Sequence, residues 1–202
     1  MAHDYEQERL DSQLMTAIRS GSGHEVKMLL EMGASHKATD QNGLGTVVSA
    51  AMSRSPDRLK PLLDAGADPN MRWESDSSGR QLTALMIVAE VGAEKCVQLL
   101  LNTGADPDLK DAKGMTALMY ACEWGELKTV DALVAGGADI YEVNNDGKSA
   151  CDIAREKDFK LTAGSDVLDT EIAAKKVNDI GNPKLKQDIT VRGPLRFKMR
   201  TG

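Results

Sequence analysis

Leu82–Gly92 reads LTALMIVAEVG, and Met115–Gly125 reads MTALMYACEWG. A third copy, KSACDIAREKD, starts at Lys148, so the starts at 82, 115 and 148 are evenly spaced in steps of 33. GTVVSAAMSR from Gly45 is a poorer copy, and DSQLMTAIRSG from Asp11 is poorer still. In the two best copies a threonine, Thr83 or Thr116, precedes apolar residues at helical spacing: Leu85, Val88 and Ala89, then Leu118, Ala121 and Cys122. A threonine there can accept a hydrogen bond from an unpaired N–H of the first turn. Gly92 and Gly125 follow, where a left-handed residue would end a helix. The spacing predicts a short, capped helix in each copy.

A second phrase keeps the same step. LLDAGADPN spans Leu62–Asn70, LLNTGADPD Leu100–Asp108 and LVAGGADIY Leu133–Tyr141, and a weaker LLEMGASHK begins at Leu29. Their glycines, Gly33, Gly66, Gly104 and Gly137, are spaced by 33, 38 and 33. Ahead of the glycine runs a second helical pattern, with Cys96, Val97, Leu99 and Leu100, or Thr129, Val130, Leu133 and Val134, facing inward. Asp111–Gly114 and Asn144–Gly147 then supply turn chemistry for a projecting hairpin. One such unit cannot bury its apolar face, but a stack can.

The period and the two phrases resemble the ankyrin-repeat family, whose T-P-L-H-x-A signature is matched with Ala84, Ala117 and Ala150 in place of the proline. The resemblance covers roughly residues 11–158. It implies an all-α repeat solenoid, an ankyrin stack of helix-turn-helix units with projecting hairpin loops. Four units and a partial fifth from near Ser149 are expected. The chain divides into an N-terminal extension (1–12), the repeats (13–158), a C-terminal capping-helix region (159–180) and a basic extended tail (181–202).

Two departures stand out. The longer step places its extra length in one hairpin finger, Met71–Gln81, and such insertions map to loops. Pro56 suits a first helical turn. Pro61 removes a backbone donor and is expected to kink or shorten its helix.

Composition narrows the function classes. The 202 residues are 41% hydrophobic and 28% charged, a globular balance. Aromatics make up only 3%, which favours thin helical layers over a sandwich or barrel. The net charge is −6, but from Lys175 onward eight Lys or Arg face two Asp, a net +6 that leaves −12 on residues 1–174. Cys96, Cys122 and Cys151 are odd in number and far apart, which disfavours a disulfide framework or zinc site and points to a reducing compartment. The N-terminal residues carry charges where a signal peptide needs an apolar run, and no stretch approaches the roughly 20 apolar residues of a membrane span. A soluble, cytoplasmic protein is expected.

No catalytic, cofactor or metal constellation emerges. Gly147-Lys148-Ser149 mimics the end of a phosphate-binding loop, but Glu142 stands where that motif needs glycine. His3, His24 and His36 have no ligand-spaced partner. A GxSxG elbow is absent. Cys122 reads as a small buried hydrophobe. An enzyme is therefore disfavoured.

The family resemblance implies a protein-protein interaction module — adaptor, scaffold or inhibitor — that binds through hairpin tips and inner helices. The matching positions are Leu44, Met52, Trp73, Glu90, Val91, Met115, Glu123 and Trp124. Trp124 lies one full period after Val91, so the two should be stacked neighbours. Both tryptophans of the chain fall in this set, and tryptophan is a favoured hot-spot residue; packing of each against its own hairpin is the alternative. A second reading makes the chain a tethering component of a large, possibly nucleoprotein, assembly. Its anchor would be Arg192, Leu195, Arg196, Phe197, Lys198, Met199 and Arg200; from Leu195 these alternate apolar and basic residues at strand period. Nucleic acid enters only through this tail, which could instead dock on the acidic body.

Overall fold

The computed structural model describes residues 2–74 and 79–157. The expected capping-helix region and basic tail lie outside the described residues. Helices alternate in two rows. The inner row is α1 (Ala2–Ser20), α3 (Thr46–Met52), α5 (Ala84–Glu90), α7 (Ala117–Trp124) and α9 (Ala150–Glu156). The outer row is α2 (Gly23–Glu31), α4 (Pro56–Asp64), α6 (Glu94–Asn102) and α8 (Leu127–Ala135). Each helix packs on its own partner and on the next helix of its row. Four helix pairs thus stack, and α9 begins a fifth unit.

The caps explain where the inner helices start. Thr83 and Thr116 accept from the backbone N–H of Met86 and Met119 at 3.3 Å, and Ser149 does the same for Asp152. Between the rows lies one continuous core. Leu14, Ile18, Val26, Leu59, Leu62, Leu85, Leu100, Leu118 and Leu133 are almost wholly buried. The central inner helices α3, α5 and α7 are buried nearly all round because they have neighbours on three sides. From Ala84 to Ala89 every residue is buried. The outer helices bury one stripe, such as Cys96, Val97 and Leu100 in α6.

At α9 the inner row changes chemistry. Asp152 stands at the register position of Met86 and Met119, and Arg155 at that of Ala89 and Cys122. These two side chains pair at 3.0 Å. These apolar register positions of the inner row are thus taken by polar groups at α9.

Two expectations are corrected. The boundary at residue 12 falls inside α1, a 19-residue helix. No glycine or proline interrupts residues 2–20, and Leu10, Leu14, Met15 and Ile18 form one buried stripe. Gln7 donates to Gly33 O at 3.1 Å, and Asp11 accepts from Ser35 N at 2.7 Å. The first unit therefore includes residues assigned to an extension. Pro61 does not shorten α4, which is as long as α2, α6 and α8. The proline forfeits one bond, to Asp57 O. Burial of Leu59, Leu62 and Leu63 and the closing Ala65 N–H to Pro61 O bond at 3.0 Å hold the helix through it.

The fingers between units share one turn. Asp40, Asp111 and Asn144 each accept two backbone N–H groups two and four residues on, at 2.8–3.0 Å. Gly43, Gly114 and Gly147 close the turn at φ 73°, 76° and 74°, a left-handed conformation that costs a side chain strain. The long finger is built differently. β1 (Arg72–Glu74) pairs antiparallel with β2 (Gln81–Thr83), with Arg72 opposite Thr83 and Glu74 opposite Gln81. This is the one sheet among the described residues, so no central sheet competes with the helical stack.

Candidate partner-binding groove

Inner helices α5, α7 and α9 and the fingers beside them enclose an open depression of about 400 Å³. Its floor is fixed by a buried polar relay. Asp111, 6% exposed, uses one carboxylate oxygen for the finger turn. The other accepts the Tyr120 hydroxyl at 2.7 Å. Tyr120 is buried too, and burial together with Asp111 pushes its pKa upward, so the phenol stays a donor. Arg80, from the long finger, faces the same hydroxyl, and Tyr120 raises its pKa. The long finger, the neighbouring finger and the inner helix thus meet around Tyr120.

A column of carboxylates runs along the rim. Glu90, Glu123 and Glu156 follow one another at the repeat period. Each faces a cation: Arg80 at 3.9 Å from Glu90, Lys157 at 3.9 Å from Glu123, and Lys148 at 2.7 Å from Glu156. The Glu156 contact raises the Lys148 pKa. Trp124 stands beside this column, 58% exposed. Gly125, left-handed at φ 72°, ends α7 directly after it.

The sequence-derived positions do not all gather here. Glu90, Met115, Glu123 and Trp124 line the depression. Met115 is only 8% exposed; it belongs to the floor rather than a tip, and its sulfur accepts from the Asn144 amide at 3.4 Å. Met52, one unit earlier in the Glu column, is 44% exposed. Leu44 and Val91 are half-buried, and Leu44 packs on the core. Trp73, in β1 opposite Leu82, is half-buried against the core, and its indole N–H has no partner among the described residues. The finger therefore holds Trp73 back while Trp124 faces out. The tail positions, Arg192 through Arg200, lie outside the described residues.

Sequence reasoning does not single out Arg80, Asp111 and Tyr120 as a group. Asp111 is legible only as a turn residue. Tyr120 takes the register position of Ile87 and Ile153, and that aromatic between two isoleucines is the available signal. Nucleophile chemistry gains no support: Cys96, Cys122 and Cys151 are buried, and burial pushes the Cys122 thiol up to about 12. Among the described residues no His, Cys, Asp and Glu group could hold a metal ion. No helix among them is long and apolar enough to cross a membrane.

Comparison with known proteins agrees with the geometry. Residues 47–144 match the family model for ankyrin repeats in three copies. That stretch is a run of ankyrin repeats. Among its relatives, human B-cell lymphoma 3 protein is 38% identical over 88 residues, 44% of this chain and 19% of that protein. The Arabidopsis thaliana E3 ubiquitin-protein ligase KEG is 33% identical over 90 residues, 44% of this chain and 5% of the ligase. A putative ankyrin repeat-containing protein of Treponema pallidum is 31% identical over 103 residues, 50% of this chain and 33% of that protein. The matched region thus spans a third or less of these relatives. What is shared is the repeat, a module that generally mediates protein-protein interaction.

Proposed function

We propose that the chain is a protein-binding module whose partner seats in the groove above Tyr120, with Trp124 as the central contact. The observation that carries this is the exposed Trp124 indole beside a preorganised floor. Aromatic anchors over well-packed surroundings dominate binding energy at interfaces. A floor held by Asp111, Tyr120 and Arg80 limits the ordering cost on association. Glu90 and Glu123 on the rim would set register and partner choice rather than bulk affinity. An adaptor, scaffold or inhibitor role fits the same surface, and the relatives, which embed the repeat in much longer chains, fit any of the three. The repeat family, generally an interaction module, supports a non-enzymatic reading.

The test is affinity capture from native cells with the intact chain and its Trp124→Ala variant, quantified by mass spectrometry. Proteins retained by the intact chain should fall at least tenfold with the variant, while the melting temperature of the variant stays within about 2 °C, since an exposed side chain contributes little to stability. Undiminished capture by a folded Trp124→Ala chain would show that the partner sits elsewhere.

A further inference from the structure

The groove has a candidate occupant within the chain itself. We propose that Leu195–Arg200 binds across α5, α7 and α9 and occupies the partner site until a partner displaces it, so that the module is autoinhibited. This rests on the groove being the binding surface.

Three observations lead to it. The first is length. Neighbouring packed helices lie about 8–10 Å apart, so crossing from α5 through α7 to α9 takes about 16–20 Å. The hexapeptide LRFKMR, extended at about 3.3 Å per residue, covers that span. The second is chemistry. The rim presents Glu90, Glu123 and Glu156, and two of their ion pairs, with Arg80 and Lys157, are 3.9 Å long. Such partly exposed pairs are weak and exchange readily for a better-placed guanidinium. Arg196, Lys198 and Arg200 lie on one side of an extended segment and Leu195, Phe197 and Met199 on the other. The cations can reach the carboxylate column and the apolar residues the exposed Trp124. The third is tethering. Lys157 lines the groove, and the same chain runs on from it to the segment that starts at Leu195. A tether of a few tens of residues supplies an effective concentration near the millimolar range, so a weak contact suffices.

The groove's own cations argue against a purely ionic contact: Arg80, Lys148 and Lys157 already balance the column. The apolar side of the segment must therefore contribute, and Phe197 is the residue suited to Trp124.

The experiment uses the full chain. Trp73→Phe leaves Trp124 as its single tryptophan, and acrylamide quenching then reads the exposure of Trp124. Adding Arg196→Glu, Lys198→Glu and Arg200→Glu should raise the quenching constant at least twofold, and Phe197→Ala alone should raise it measurably. A synthetic Gly193–Gly202 peptide added to the charge-reversed chain should restore protection. Equal quenching in all these chains overturns the proposal. Protection that disappears on dilution of the parent chain also overturns it, because the segment then comes from a second copy. Failure of the groove reading shows separately, as partner capture that survives Trp124→Ala. If the groove reading holds and the tail docks, the charge-reversed chain should capture more partner than the parent.

Discussion

Tyr120 stands between Ile87 and Ile153 in its column, and its hydroxyl is tolerated in the core because Asp111 accepts it at 2.7 Å. A hydrogen bond to a buried charged group contributes about 1.5–3 kcal/mol. Tyr120→Phe should therefore lower stability by about 2 kcal/mol in urea unfolding, and should loosen the long finger by releasing Arg80. An unchanged midpoint would mean that the relay is ornamental. Cys122 shows a different dependence. Its thiol is raised from 9.0 to about 12 by burial, so above pH 9 the unfolded chain holds fewer protons than the folded one. Stability from this group is complete below pH 9 and declines as pH rises toward 12, with a slope of at most about 1.4 kcal/mol per pH unit. Tyr120, also raised, adds to the decline above its ordinary value of 10.0. Cys122→Ala, which installs the residue found at the equivalent Ala89, should flatten the first part of that decline. Denaturant midpoints at pH 8 and at pH 10 or above, compared between the two chains, give the answer.

Among the elements, Gly23 and the long finger show how neighbours override local preference. Gly23 opens α2, where alanine is the better helix former by about 1 kcal/mol. A Cβ there would lie 2.2 Å from Asp57 O, a backbone atom of α4 that cannot step aside. Gly23→Ala should destabilise the stack by about 1–3 kcal/mol, with the melting temperature as readout; a rise would show that the two helices can part freely. The long finger lacks the turn of its neighbours. Deleting 73–77 restores the regular repeat step but leaves Ser78 and Gln81 where other fingers have Asp or Asn and a left-handed glycine. A non-glycine residue in that conformation costs about 1–2 kcal/mol. The plain deletion should lose more than that in thermal unfolding, because it also removes the packing of Trp73, and Ser78→Asp with Gln81→Gly should recover the share due to the turn. Equal stability of the two deletions would mean that the finger is indifferent to its turn.

For the molecule as a whole, stability and binding separate. The stack is held by a continuous apolar core, so adding salt should change its melting temperature little, whereas a rim of ion pairs makes partner choice salt-sensitive. Groove variants can thus lose binding without unfolding, which is why Trp124→Ala is informative. The period, the paired helices, the threonine caps and the glycine turns are all legible in the residues alone. Each rests on interactions within one unit, and the repetition shows the same local solution several times. Glu90, Glu123 and Trp124 can be placed in their columns the same way, since register dictates which residues stack. Other features need atoms from different units and emerge only from packing. Pro61 sits inside a full-length helix because three leucines beside it are buried. Helix α1 reaches back through residue 12 to meet Gly33 and Ser35. Trp73 leans on the core while Trp124 stands exposed. Arg80, Asp111 and Tyr120 come from a finger, the next finger and the helix that follows it. Their meeting is a property of the stacking distance between units, which no local pattern encodes.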